Sequence, residues 1–229
     1  MNITKEAYEQ RKLAIDMLDK VKGNSKYIWV LDPGHGGMLD GVYQTEGKRS
    51  PIWDDGTQYF EGVGNREIAF KVSKRLTALK VDHMFTVDPT DATDVSLKKR
   101  VKLINDLKYK NMIGVSIHSN GFKKESANGW EIFTSKGETT SDKVADIFFN
   151  RFRDKFMDRN FRKDTADGDF DKEANFYILK YTKCPFVLLE NFFHTNEDEC
   201  KNILMSSEGQ DKIVDAIVES ICFIETNGI

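Results

Sequence analysis

Three near-continuous apolar runs, Tyr27–Leu31, Met112–Ile117 and Phe186–Leu189, each lead within a few residues to a histidine or a glutamate. A strand that is apolar at successive positions, rather than at alternate ones, has both of its faces covered. Between these runs lie stretches of helical period: residues 62–80 with Ile68, Val72, Leu76 and Leu79, Leu97–Leu107 with Val101 and Ile104, a Phe-rich stretch Ser141–Met157, and a final one from about Gly209 to Ile224. Two further strands are expected at His83–Val87 and Gly129–Ser135, and Phe176–Leu179 is a short extended or helical piece. Strands alternating with helices predict an α/β domain of three layers, α/β/α, around a mostly parallel twisted sheet. In such a sheet the ligand site lies off the carboxyl ends of the strands.

Residues 4–22 carry apolar side chains at helical spacing and end at Gly23-Asn24, so residues 1–25 are expected as a helical extension ahead of a domain spanning 26–229. Two stretches show no period, 38–60 and 158–175; loops this long in a compact domain are usually functional or disordered. The net charge of −3 provides no basic field for nucleic acid or an anionic membrane, and no segment reaches the length of an apolar membrane span. The amino terminus lacks a signal-peptide core, so synthesis in the cytoplasm without an export signal is expected, together with a monomeric state. Cys184, Cys200 and Cys222 match no zinc spacing and read as buried thiols.

The ends of the three apolar runs carry the chemistry. His35 follows Asp32-Pro33-Gly34, His118 follows Ile117 directly, and Glu190 follows Leu189. A catalytic zinc site needs about three His or carboxylate ligands and an open position. His35 and His118 supply two. Glu61, at the end of the first long loop and the entrance of a helix, is the best third, ahead of Glu46, Asp54 and Asp55. Zinc lowers the pKa of a bound water and polarises a carbonyl. Glu190 is then the natural general base.

At these positions the chain resembles a known family, the zinc-dependent N-acetylmuramoyl-L-alanine amidases of the amidase-3 type. Asp32-Pro33-Gly34-His35-Gly36-Gly37 looks like the family's opening motif. Glu61 with Asn65 is similar to its second ligand motif, and Ser96-Leu97-Lys98-Lys99-Arg100 to its SLxxR helix start. Ser116-Ile117-His118-Ser119-Asn120, Gly129-Trp130-Glu131-Ile132-Phe133 and Leu188-Leu189-Glu190-Asn191 follow in the family's order. The resemblance implies Zn2+ held by His35, Glu61 and His118, with Glu190 as catalytic glutamate. It implies hydrolysis of the amide between N-acetylmuramic acid and L-alanine in peptidoglycan, by zinc-bound water. It further implies action on the cell wall, and a chain without signal or wall-binding module resembles a phage or prophage endolysin released at lysis, or a shortened form of a longer protein. A zinc carboxypeptidase-like peptidase and a catalytically silent peptidoglycan-binding regulator are the competing functions.

Several neighbours carry two readings each. Asp32 either orients His35 through its second ring nitrogen or caps the turn. Asn120 either contacts substrate or holds its own loop. Glu131 reads as a structural or supporting carboxylate. Trp53 and Tyr59 either stack on the substrate or pack their loop down. His83 reads as a surface residue, His194 as structural, and Lys98-Lys99-Arg100 as a solvated helix face.

Overall fold

The computed structural model describes residues 25–229 other than residue 167, so the expected helix over 4–22 lies outside the described residues. Among the described residues, eight strands and five principal helices follow one another. They are β1 (Ile28–Pro33), β2 (Met38–Leu39), β3 (Val42–Tyr43), α1 (Glu61–Ala78), β4 (His83–Phe85), α2 (Leu97–Asp106), β5 (Met112–Asn120) and β6 (Glu131–Thr134), then α3 (Thr140–Lys155), β7 (Lys172–Glu173), α4 (Tyr177–Tyr181), β8 (Phe186–Phe193) and α5 (Ser207–Asn227). A short helical turn, Glu197–Glu199, runs into a π-helical turn, Cys200–Leu204, ahead of α5.

Six strands form one sheet in the order β4-β1-β5-β8-β6-β7. Every pairing in it is parallel except β6 with β8. Strand alternation assigns the two faces. Trp29, Leu31, Ile113, Val115, Ile117, Val187 and Leu189 join the larger core beneath α1, α3 and α5. Val30, Met112, Phe186 and Leu188 face the opposite way, into a smaller core under α2 and α4. Both faces are covered, which is why the strands are apolar throughout. Phe148, Phe149, Phe152 and Phe156 lie in the larger core, as their helical spacing predicts.

The parity continues past the apolar runs. Asp32, Ser116, His118 and Glu190 fall on the face covered by α2 and α4, with Asp32 beside Ser116 and His118 beside Glu190 in register. The helices on that face have 10 and 5 residues, against 16 to 21 for those opposite. The polar strand ends therefore emerge where the thinner layer stops.

Two strands are longer than their apolar runs. β5 continues to Asn120 and β8 to Phe193, so His118 and Glu190 lie within strands rather than just beyond them. The two ends pair with each other: past His118 and Glu190 the β5–β8 ladder resumes, after an irregularity, with Asn120 against Phe193. Residues 38–60, read as aperiodic, hold the β2–β3 hairpin and a bridge from Arg49 to Phe60. The 158–175 stretch is likewise anchored, by a bridge from Phe161 to Trp130 and by Phe170 stacked on Phe149 at 4.6 Å. No helix among the described residues is long and apolar enough to cross a membrane.

Beside β7, Asp171 is buried, accepts a hydrogen bond from the Thr134 hydroxyl at 2.6 Å, and lies against the Asp169 carboxyl. Burial, ahead of the neighbouring acid, pushes Asp171 up to about 7. The folded chain then holds a proton that the unfolded chain releases above about pH 3.9. The stability contributed by this group is full below that value and is lost as pH rises through 7. We expect Asp171→Asn to flatten the decline in melting temperature between pH 4 and pH 8. A decline unchanged from wild type in thermal melts would remove Asp171 from that role.

Candidate metal centre

The centre is built on the loop leaving β1. His35 adopts a left-handed backbone, φ 66°, which costs a residue with a Cβ on the order of 1–2 kcal/mol. Two guanidinium groups hold it there. Arg66 of α1 donates to the His35 carbonyl at 2.7 Å and Arg100 of α2 donates to the same oxygen at 3.2 Å. Arg100 also donates to Pro33 O at 2.5 Å and Val95 O at 2.8 Å, and pairs with Asp32 at 2.9 Å. Arg66 reaches Gly62 O, Asp91 O and Thr93 O as well.

Arg100 is therefore buried, at 2% exposure, and the reading of Lys98-Lys99-Arg100 as one solvated face fails at its third residue. The partner that draws it inward is Asp32. Burial would raise the Asp32 pKa, but the Arg100 charge and hydrogen bonds from Ser116, Thr86 and Arg100 hold it below the ordinary carboxylate value. With its oxygens taken by Thr86, Ser116 and Arg100, Asp32 secures the backbone before His35 rather than the His35 ring.

Two glycines allow the elements to close up. A Cβ on Gly34 would stand 2.1 Å from the His118 ring, and one on Gly62 would stand 1.9 Å from Gly36 O. Only a bare backbone lets the β1 loop lie across β5 and under the first turn of α1. Asn65, one turn after Glu61, donates to Gly34 O at 3.3 Å.

The result brings His35, Glu61 and His118 together, with one ligand atom from each inside 4.8 Å of the others. Glu61 Oε1 is 2.9 Å from His118 Nδ1 and 3.2 Å from His35 Nε2. The imidazole rings meet edge to face at 4.9 Å. Burial would raise the Glu61 pKa, yet the His118 hydrogen bond and the adjacent His35 imidazole keep it well below the ordinary value. Burial alone would lower the His118 pKa, but the bond to Glu61 and its charge raise it. His35 Nε2 and Glu61 Oε2 are nevertheless buried without a hydrogen-bond partner. Two imidazoles and one carboxylate, with stranded acceptor atoms between them, are a donor set that could hold a divalent metal and that fits zinc.

Glu190 is the neighbour of His118 across β5 and β8. Its Oε2 is also buried without a partner. Burial pushes it up to about 8, against a downward pull from His118. A carboxyl poised near neutrality can both take and give a proton.

The other candidates fall into place around this cluster. Asn120 donates to Glu131 and turns its carbonyl oxygen to Gly121 N, so it holds its own loop. Glu131 is buried and carries Arg162 at 3.0 Å and Lys172 at 2.5 Å. Trp53 and Tyr59 are buried in the larger core, where they pack their loop against it. His194 is buried behind the centre, its Nδ1 3.1 Å from both the hydroxyl and the carbonyl of Ser119. His83 is half-buried rather than a surface group; it bridges Ser73 and Val81 O. Sequence reasoning passed over Arg66, Arg100 and Asn191, the last of which donates to His118 O at 3.1 Å and accepts from Trp130. The signal for the arginines was their place at helix positions facing the sheet.

The sequence profile of a family described as N-acetylmuramoyl-L-alanine amidase matches residues 30–222. The N-acetylmuramoyl-L-alanine amidase LytC of Bacillus subtilis is 27% identical over 208 residues, covering 90% of this chain and 36% of its own length. The amidase AmiA of Escherichia coli is 23% identical, covering 87% of this chain and 76% of its own. This chain thus spans about a third of the first relative's length. A solved N-acetylmuramoyl-L-alanine amidase from Clostridium difficile 630 superposes with a TM-score of 0.71 at 24% identity, over 90% of this chain and 99% of that one, and shares its fold.

Replacing Arg100 by Lys retains charge but cannot serve Asp32, Pro33 O, His35 O and Val95 O together. Chelator-competition titrations should show zinc affinity reduced by roughly ten- to a hundredfold. Wild-type affinity in Arg100→Lys would refute the link between the guanidinium and the metal loop. His118→Ala should abolish stoichiometric zinc in elemental analysis, and retained metal there would exclude His118 as a ligand.

Proposed function

The chain belongs to the amidase-3 family of N-acetylmuramoyl-L-alanine amidases, and from that premise we propose that it hydrolyses the amide between N-acetylmuramic acid and L-alanine in peptidoglycan. The observation that carries this reading is the grouping of His35, Glu61 and His118 beside Glu190 at one end of the sheet. We assign zinc to the three-residue group. When bound there, zinc supplies Lewis-acid polarisation of the amide carbonyl and acidifies a water molecule.

The chain's own residues supply the rest. Glu61, held ionised by His118 and His35, gives the group its negative charge. Asn191 fixes the backbone of His118 through its carbonyl, and Trp130 fixes Asn191 in turn. Glu190 Oε2, free of any donor, accepts the proton of the attacking water and returns it to the departing alanine nitrogen.

Purified peptidoglycan digested by the zinc-loaded protein should release L-alanine amino termini from intact glycan strands, and a chelator should stop the release. New carboxyl-terminal peptide products would instead identify a peptidase, and binding without release would identify a silent wall-binding protein. Glu190→Gln should keep stoichiometric zinc and lose turnover by at least about a hundredfold. Turnover at the wild-type rate would take the proton-carrying role away from Glu190.

A further inference from the structure

Next to Glu190 the structure holds an arginine whose fixation the proton-transfer chemistry does not use. Glu131 stands directly opposite Glu190 across β6 and β8, so the two side chains share a face. Residues opposed in this way have Cβ atoms roughly 5 Å apart. One oxygen of Glu131 receives Arg162 Nε at 3.0 Å and Lys172 Nζ at 2.5 Å, while Asn120 takes the other. Within the Glu131 cluster two cations thus share one carboxylate, a surplus of one positive charge set only against the charge that Glu190 opposite it carries.

Arg162 is held at several points. Its backbone N–H donates to Trp130 O at 2.9 Å, which fixes its loop along the end of β6. Its guanidinium carbon lies 5.2 Å from the centre of the Phe193 ring, three residues beyond Glu190 on β8. The Nε is taken by Glu131, and among the described residues neither Nη atom has an acceptor. The side chain is 39% exposed, so that edge of the guanidinium faces solvent. A stacked guanidinium with two free N–H-bearing nitrogens is the geometry that receives a carboxylate through paired hydrogen bonds.

Resting on the amidase reading above, we propose that Arg162, supported by Lys172, binds a free carboxylate of the stem peptide, so that the enzyme selects peptides whose carboxyl groups are not amidated. The reach is appropriate. An extended peptide advances roughly 3.3–3.6 Å per residue, which brings a carboxylate one to three residues from the scissile amide alongside β6. The glycan, by contrast, offers no charge to match the surplus. Lys48, from the other long loop, adds to the positive field at Glu190.

The test compares two soluble muramoyl peptides, one with free stem carboxyls and the other with the same carboxyls converted to carboxamides. Wild-type zinc-loaded protein should cleave the carboxylate compound with kcat/KM about tenfold higher or more, the difference lying in KM and shrinking as salt rises. In Arg162→Gln the ratio should fall close to one, and Arg162→Lys should restore part of it. Equal kcat/KM for the two compounds in wild type, or a preference that survives in Arg162→Gln, overturns the carboxylate site while leaving the amidase reading intact. Cleavage of neither compound overturns the amidase reading, and the carboxylate site with it.

Discussion

The geometry at the carboxyl edge of the sheet depends on the buried pair between Arg100 and Asp32. A buried ion pair is poor evidence for stability, since desolvation consumes much of the attraction; its removal is costly because the surviving charge is stranded. Here the pair acts chiefly through position. Asp32 gathers Thr86 after β4 and Ser116 in β5 around the end of β1, while Arg100 brings α2 onto the same point. The fork of the guanidinium then continues to Pro33 O and His35 O. A backbone conformation that His35 would avoid in a free peptide is thereby made the only one available.

That rigidity explains how the centre tolerates unsatisfied polar atoms. A buried acceptor or imidazole nitrogen without a partner costs on the order of 1–3 kcal/mol, and flexible surroundings would relax to relieve it. His35 Nε2, Glu61 Oε2 and Glu190 Oε2 remain without partners because the elements carrying them are fixed from behind. His35 is gripped by two arginines, Glu61 is set at the start of α1, and Glu190 sits in the middle of a ladder between β5 and β6. Preorganisation of this kind suits a group of residues that could hold a cation.

The sequence made part of this legible and hid the rest for physical reasons. Continuous apolarity identified β1, β5 and β8 because burial on both faces leaves no polar alternation, whereas the two-residue, charged β7 inside 158–175 left no such mark; the helical spacing of Ile68, Val72 and Leu76 or of the four phenylalanines identified the faces of α1 and α3. The close approach of His35 and His118 was legible as two ionisable residues at strand ends. The extent of β8 beyond Glu190 was not, because it depends on long-range parallel pairing with the end of β5, Asn120 against Phe193, that no local pattern announces. Arg100 was hidden by its neighbours: Lys98 and Lys99 do face solvent, and a third consecutive cation reads as more of the same until Asp32 is known to lie opposite it. Trp53 and Tyr59 stayed open between two readings, since an aperiodic loop gives no sign whether its aromatics fold back into the core, where the structure has them.

The two long loops and the strand ends divide the work of the cleft. Of the proposed proton-carrying and metal-binding groups, His118 and Glu190 stand within paired strands and Glu61 begins a helix, while His35 is held in its loop by two arginines, so that a displacement of even 1 Å would be felt in the chemistry. The loops could have been mobile rims, but their aromatic residues anchor them: Tyr59 and Trp53 under the first, Phe161 and Phe170 against Phe149 under the second. A cation presented from such a footing has already lost most of its conformational freedom, so less entropy remains to be lost when it meets an anion. Arg162 exemplifies this arrangement, fixed through its backbone, its Nε and the Phe193 ring while two nitrogens remain open. Discrimination between substrates can therefore change with the sequence of residues 158–175 without disturbing the pair at Asp32 and Arg100 on which the reacting centre rests.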